Sequence, residues 1–168
     1  MITLSTAKRE DAAAIAELAG EMNRFYGATE FDPPEVRKDR IEGALFGDVP
    51  SAYALLAWDD GKLVGFASYS FLWPAVGLTG SMYLKELYVC AAARRGGVGA
   101  MLMRGLFGIA VEQRCSRIEW TTDHDNEGAR AFYEALGVAA LTSKVLYRLA
   151  GDDLRSAASQ SAPASSEK

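Results

Sequence analysis

The sequence has few of the residues from which metal sites and disulfide scaffolds are built. Its 168 residues include one histidine, His124, and two cysteines, Cys90 and Cys115. Neither cysteine has a partner nearby in the sequence, so the pattern does not favour a disulfide scaffold. A lone histidine cannot form a histidine metal cluster either. We therefore predict no bound metal, and two free thiols that are buried or half-buried.

The sequence also lacks an excess of basic charge and a long apolar run. Lysine and arginine total 18 against 22 aspartate and glutamate residues, which gives a net charge of −4. Such a balance does not draw a protein to nucleic acid or anionic lipid. No apolar run reaches the ~18 residues of a membrane span, and the N-terminus has no basic region followed by an apolar stretch. We expect a cytoplasmic protein with neither nucleic acid nor a membrane as its partner.

What the sequence does contain is a series of short apolar runs and amphipathic stretches, in a chain long enough for one domain. Apolar residues at helical spacing predict helices over residues 15–26, 98–109 and 127–136, and Pro33-Pro34 begins a weaker helical stretch that runs through Leu45. Strands are predicted over residues 2–4, 52–58, 63–73, 81–89, 117–122 and 141–149. Several connections are predicted hairpins, including the turn at Asp59–Lys62. We expect an α/β (α+β) fold, with a mixed, mostly antiparallel sheet of about six to seven strands flanked by about four helices.

The composition changes after residue 149. From Ala150 onward the chain is rich in alanine, serine and charged residues, and residues 156–168 have almost nothing to bury. We predict one domain over residues 1–149 and a largely disordered tail over residues 150–168.

The strand predicted over residues 81–89 contains a break in its alternation. Met82 and Leu84 stand at even positions, whereas Leu87 and Val89 stand at odd ones. Because alternate residues of a strand point to opposite faces, the apolar face changes parity between these two pairs. One extra residue in a β-bulge at Lys85–Glu86 explains the change, and bulges are common beside active sites. The alternative is a strand buried on both faces, for which parity has no meaning.

A glycine-rich loop follows this strand and precedes a predicted helix. The first turn of a helix has unpaired backbone N–H groups and a partial positive charge, and glycine lets a phosphate approach the backbone closely. Two arginines add donors that suit phosphate oxygens. The loop therefore suits a pyrophosphate; its residues are Arg94, Arg95, Gly96, Gly97, Val98, Gly99 and Ala100.

Other phosphate loops match this segment less well. A Walker loop needs Gly-Lys-Ser/Thr, and a dinucleotide fingerprint needs a third glycine where Leu102 stands. The alternative without a ligand is a strand-to-helix turn with solvated arginines.

Two blocks of the sequence together resemble the GNAT N-acetyltransferase superfamily. The family signature Arg/Gln-x-x-Gly-x-Gly/Ala is matched by Arg94, Gly97 and Gly99. A second block matches downstream and consists of Asn126, Ala129, Phe132, Tyr133, Glu134, Leu136 and Gly137. The likeness covers roughly residues 1–149 and implies a GNAT fold with acetyl-CoA as cosubstrate.

The resemblance also implies roles for individual residues. Backbone groups of Leu87, Tyr88 and Val89 would pair with the pantetheine arm, and the Val89 amide would polarise the thioester carbonyl. The loop from Arg94 to Ala100 would hold the pyrophosphate. Tyr133 would donate a proton to the departing thiolate, although helical spacing beside Phe132 is also typical of a core aromatic. Further contacts to the cofactor would come from Asn126, Ala129 and Phe132.

A narrower resemblance is to the bacterial diamine and polyamine acetyltransferase-like branch. It rests on the segment from Tyr83 to Val89 and on the ending Lys144-x-x-Tyr147-Arg148-Leu149. Lys85 stands where the amine-specific members have an acid that matters for the cationic substrate. A lysine there would repel a polyamine.

The acceptor side is predicted from the bulge and from aromatic residues. Glu86 is the candidate general base because of its place at the bulge; the alternative is a solvated or salt-bridged strand residue. His124 is predicted to be a loop residue rather than a base. Candidate acceptor-pocket residues, each of which can instead belong to the core, are Phe25, Tyr26, Tyr69, Trp73 and Trp120.

These observations predict an N-acetyltransferase that moves the acetyl group of acetyl-CoA to a primary amine of a small molecule by direct attack in a ternary complex. The alternative is a non-catalytic module that senses acyl-CoA or binds a partner through a GNAT-like fold. A third possibility is nucleotide binding through the glycine loop. Because dimers are common in the resembling family, we expect a homodimer.

Overall fold

The computed structural model describes residues 1–160 and contains one five-stranded sheet. The strands are β1 (Ile2–Thr6), β2 (Tyr53–Asp59), β3 (Lys62–Leu72), β4 (Gly80–Val89) and β5 (Cys115–Glu119). The helices are α1 (Ala12–Phe25), α2 (Pro34–Phe46), α3 (Val98–Glu112), α4 (Glu127–Ala135) and α5 (Gly151–Gln160). The sheet order is β1-β2-β3-β4-β5, with antiparallel pairs except for the parallel pair of β4 and β5. The predicted mixed, mostly antiparallel sheet is confirmed.

The numbers of strands and helices differ from the prediction. Among residues 1–160 the sheet has five strands, because residues 141–149 pair with no strand. Leu141, Val145 and Tyr147 are exposed. An alternating apolar pattern becomes a strand only where a sheet edge satisfies its backbone groups, and strand propensity depends on that context.

A fifth helix, α5, occupies Gly151–Gln160, where composition predicted a tail without regular structure. Asp152 and Asp153 lie in its first turn, where negative charge is favourable, and alanine has the highest helix propensity. The rest of the predicted tail, residues 161–168, lies outside the described residues. The chain divides into two compact units, Met1–Asp125 and a second that begins at Asn126 and contains α4 and α5.

The hairpin between β2 and β3 has the predicted two-residue turn. Asp60 and Gly61 both adopt positive φ, 47° and 82°, as the favoured hairpin turns require. Asp59 pairs with Lys62 directly across the turn.

Strand β4 contains the predicted β-bulge. Ser68 of β3 pairs with Glu86 and Tyr69 pairs with Leu84, so Lys85 is the extra residue. Leu87 pairs with Ala67, which lies on the same face of β3 as Tyr69. Because paired residues point to the same face, Leu84 before the bulge shares a face with Leu87 after it. Glu86 and Tyr88 point to the opposite face.

Different helices cover the two faces of the sheet. A Cβ atom on Gly65 of β3 would lie 3.2 Å from Leu102 and 3.3 Å from Val98, so α3 packs against the face that includes Gly65. On the other face the Tyr88 hydroxyl donates a hydrogen bond to Glu21 of α1 at 3.0 Å. The core of this unit includes five side chains with almost no exposed area: Leu56, Met82, Leu102, Met103 and Leu106.

Candidate active site

The edge of β4 opens beyond the middle of the strand. The ladder between β4 and β5 ends at the pair of Tyr83 and Glu119. Over the ranges that the structure describes, no strand continues along this edge beside Leu87, Tyr88 and Val89. Within the described part of the chain, the backbone groups on that side therefore have no partner strand, which is the arrangement that an extended ligand needs, although the Val89 carbonyl accepts a hydrogen bond from Arg94.

The open strand runs into a loop that starts α3. A short 3-10 turn at Ala91–Ala93 follows β4, and Gly97 caps α3 with left-handed backbone angles, φ 80° and ψ 0°. The first backbone hydrogen bond of the helix runs from the Met101 amide to the Gly97 carbonyl at 3.0 Å. The amides of the first helical turn therefore have no partner within the helix. Glycine at the cap leaves them uncovered by a side chain, which suits an anion.

Arg94 is oriented by three groups near the end of β4. Its Nε donates a hydrogen bond to the Val89 carbonyl at 3.0 Å. Its guanidinium lies 4.1 Å from the ring centre of Phe25 and 5.4 Å from that of Tyr88. Such cation–π contacts hold the planar group over the rings. The predicted phosphate-binding arginine is therefore positioned by α1 as well as by its own loop.

Glu21 of α1 lies at this site and is not among the residues predicted from the sequence. Its Oε1 accepts hydrogen bonds from the Tyr88 hydroxyl at 3.0 Å and from the Ala91 amide at 3.1 Å. Burial raises the pKa of Tyr88, and the hydrogen bond to Glu21 raises it further. The only sequence signal was spacing, since Glu21 and Phe25 are four residues apart and share one face of the helix.

Glu86 lies half-buried on the face of β4 that α1 covers. Burial raises the pKa of its carboxyl group, and the positive charge of Lys85 offsets part of that effect. A raised pKa makes a carboxylate a stronger base once it is ionised. Lys85 itself is exposed.

Two of the five predicted pocket aromatics lie close to these groups. Phe25 and Tyr26 are 58% and 61% exposed, and their ring centres are 5.4 Å apart. Burial raises the pKa of Tyr26, and the negative charges of Glu86 and Asp123 raise it further. Aromatic rings beside carboxylates form surroundings that suit a cationic amine.

Two of the other three aromatics, Tyr69 and Trp73, lie elsewhere. Tyr69 is 4% exposed and packs against Tyr53 and Phe71, with ring centres 5.6 and 5.8 Å away. Since it neighbours Ser68, which pairs with Glu86, Tyr69 points to the opposite face of the sheet. Trp73 lies in the connection between β3 and β4 and donates from Nε1 to the Leu78 carbonyl at 3.0 Å. Trp120 is half-buried just after β5.

The second unit contains the predicted proton donor and its neighbours. Asn126 caps α4, because its Oδ1 accepts a hydrogen bond from the Ala129 amide at 3.0 Å. Phe132 and Tyr133 are half-buried, and their ring centres are 5.1 Å apart. Gly137 follows the helix with φ 81°, as predicted for a residue just past a C-terminus.

The two cysteines are free thiols, with Cys90 buried and Cys115 half-buried, as predicted. Within residues 1–160 there is no group of three or more His, Cys, Asp or Glu residues arranged to hold a metal ion. Over the same residues no helix is long and apolar enough to span a membrane.

Comparison with known proteins gives the family. A model of the acetyltransferase (GNAT) family matches residues 14–138, and the chain belongs to that family. An uncharacterized N-acetyltransferase of Bacillus subtilis, YhfO, is 29% identical over 88% of this chain and 97% of its own. The D-amino-acid N-acetyltransferase of Saccharomyces cerevisiae is 33% identical over 71% of this chain and 73% of its own. An integron cassette protein from the mobile metagenome of V. cholerae has a TM-score of 0.87 and 27% identity, and the match covers 94% of this chain and 97% of that one.

Proposed function

We propose that this acetyltransferase binds acetyl-CoA along the open edge of β4 and at the start of α3. One observation carries the proposal: the edge of β4 beyond Tyr83 leads directly to a helix that begins at Gly97 beside Arg94. In this proposal the backbone of Leu87–Val89 pairs with the pantetheine arm, and residues Arg94–Ala100 bind the pyrophosphate. The acetyltransferase domain spans residues 1–149, with the remaining residues as a tail.

The proposed reaction is direct transfer to a primary amine of a small molecule. A protonated amine has no lone pair for attack, so its proton must first be removed. Glu86 is the proposed general base, directly or through water, since burial raises its pKa. The Val89 amide stabilises the negative charge that develops on the carbonyl oxygen. Tyr133 protonates the leaving thiolate, while Asn126, Ala129 and Phe132 contact the cofactor.

Phe25 and Tyr26 are the proposed acceptor-pocket aromatics, because both are exposed and Tyr26 lies within the electrostatic influence of Glu86. The S. cerevisiae relative acts on D-amino acids, as its name states. A bovine relative, 22% identical, is a thialysine N-epsilon-acetyltransferase. Membership of the diamine and polyamine branch stays a proposal, and the charge of Lys85 opposes the binding of long polyamines.

We further propose that the protein is a cytoplasmic homodimer. Light scattering tests the oligomeric state, and cell fractionation tests the location.

The test is release of free CoA thiol from acetyl-CoA with a panel of D- and L-amino acids, thialysine, diamines, polyamines and aminoglycosides. We expect at least one small amine to support turnover well above the rate without acceptor. Arg94→Ala is expected to raise the KM for acetyl-CoA about tenfold, because a charge-assisted phosphate contact is lost. Arg104→Ala is the matched control, since Arg104 is an exposed arginine of α3 that lies beyond the first turn of the helix.

Two results would contradict this proposal. Binding of CoA in calorimetry without turnover of any amine would point to a sensing module. Equal KM values for acetyl-CoA in the two arginine variants would show that the pyrophosphate does not bind at the start of α3.

A further inference from the structure

The last two turns of α1 are tied to the segment that joins β4 to the glycine loop. The Glu21 carboxylate accepts hydrogen bonds from the Tyr88 hydroxyl and from the Ala91 amide, at 3.0 and 3.1 Å. Tyr88 is 4% exposed and belongs to β4, whereas Ala91 begins the turn after the strand. One carboxylate oxygen therefore joins α1 to both sides of the strand's end.

A second contact lies one helical turn further along α1. Phe25 lies under the Arg94 guanidinium at 4.1 Å, and its ring is 6.2 Å from the ring of Tyr88. Arg94 donates in turn to the Val89 carbonyl. Glu21 and Phe25 thus contact the beginning and the end of one short segment, residues 88–94, which connects the open strand to the start of α3.

The direction in which CoA binding changes when the negative charge of Glu21 is removed distinguishes two possible roles of this residue. If its charge acted alone on a bound pyrophosphate, a carboxylate near that anion would weaken binding, and its removal would strengthen binding. If its hydrogen bonds set the position of the loop, removal would weaken binding, because the loop would have to be ordered when the ligand binds. The two bonds are of the charge-assisted kind, which is about twice as strong as a neutral bond.

We propose that Glu21 is a positioning residue for acetyl-CoA: it fixes Tyr88 and Ala91 so that Arg94 and the amides at the start of α3 are pre-arranged for the pyrophosphate. Glu21 acts through these groups and does not itself contact the cosubstrate. The inference rests on the proposed function, since it concerns the same acetyl-CoA site.

The experiment compares Glu21→Ala, which removes both hydrogen bonds, with Glu17→Ala. Glu17 is exposed on α1 one turn earlier, so the control removes the same charge without a bond to the loop. We expect Glu21→Ala to raise the Kd for CoA in calorimetry and the KM for acetyl-CoA about tenfold, a cost within the range of one or two charged hydrogen bonds. The kcat at saturating acetyl-CoA and the KM for the amine should stay within about twofold, a split that general loosening of the fold does not produce.

Two further variants test the same inference if Glu21→Ala folds poorly. Glu21→Gln retains an oxygen that accepts both bonds, so its Kd for CoA should lie between those of wild type and Glu21→Ala. Tyr88→Phe removes one bond and should raise the Kd about threefold. A Kd for Glu21→Ala or Tyr88→Phe equal to that of wild type, or tighter binding by Glu21→Ala, would overturn the inference and leave the proposed function standing. Failure of the wild-type protein to bind CoA would overturn both.

Discussion

Gly65 determines how closely α3 approaches the sheet, and adding one methyl group tests that role. Gly65 lies in β3 opposite Val89 of β4. A Cβ atom there would lie 3.1 Å from the Tyr88 carbonyl oxygen, 3.2 Å from Leu102 and 3.3 Å from Val98. The oxygen belongs to a paired strand, and the two side chains are 0% and 3% exposed. The substitution Gly65→Ala therefore forces atoms apart that have little room to move.

The expected loss of stability follows from two opposing terms. Extra volume in a well-packed core costs about 1–3 kcal/mol. Replacing glycine by alanine recovers about 0.4–1 kcal/mol by reducing the entropy of the unfolded chain. We expect a net loss of about 1–2 kcal/mol, measured by urea unfolding. For a chain of this size this corresponds to a fall in Tm of about 2–8 °C.

The same substitution should weaken the binding of CoA, because Val98 is the first residue of α3. Relief of the clash moves the first turn of the helix away from β4 and from Arg94. We expect a Kd for CoA about fivefold higher in calorimetry at a temperature where the variant remains folded.

Gly108→Ala is the matched control for this prediction. Gly108 is exposed within α3, and no heavy atom would lie within 4 Å of its added Cβ. Alanine is favoured over glycine inside a helix, so this variant should gain about 0.5–1 kcal/mol and bind CoA unchanged. If Gly65→Ala were as stable as wild type and bound CoA equally well, the assignment of close packing to Gly65 would be refuted.

Two further predictions concern the proposed chemistry. Glu86→Gln should abolish most turnover and should be more stable than wild type at about pH 7. Because burial raises the pKa of Glu86, ionisation of this carboxyl group lowers the stability of the wild type as the pH rises. The difference in stability between the two proteins should therefore vanish near pH 4. Thermal unfolding over this pH range measures the trend, and a wild type that gains on the variant as the pH rises would contradict it. Tyr133→Phe should lower kcat by a factor of about 100 with no change in the Kd for CoA, because only the proton donor is lost. Full activity in this variant would exclude Tyr133 as the acid.

Several local features of the fold were predictable from neighbouring residues alone. The parity change between Leu84 and Leu87 predicted a bulge at Lys85–Glu86, and Lys85 is its extra residue. The turn at Asp60–Gly61 followed from the positive φ angle that glycine accepts, and the start of α3 followed from the glycine-rich loop. Asp125 or Asn126 was expected to cap α4, and the side chain of Asn126 does so. All four depend on contacts within a few residues or on the period of a strand, which the order of residues determines.

Other features depended on contacts between distant parts of the chain. Tyr69 has the same aromatic character as Tyr26, yet the register of β3 places it on the other face of the sheet, where it is buried against Tyr53 and Phe71. The apolar pattern of residues 141–149 is that of a strand, but a strand also has to pair with a sheet edge, and within residues 1–160 these residues pair with none.

The order of residues by itself determined the glycine loop, the bulge and the two blocks that mark a GNAT acetyltransferase. Only the tertiary structure decided what holds that loop in place. Glu21 is 67 residues from Tyr88 and 70 from Ala91 along the chain, and Arg94 is far in sequence from Phe25. No periodicity or motif links residues so distant in sequence. They meet because α1 packs across the face of β4 that carries Tyr88, and that packing depends on the burial of the whole sheet rather than on any local pattern.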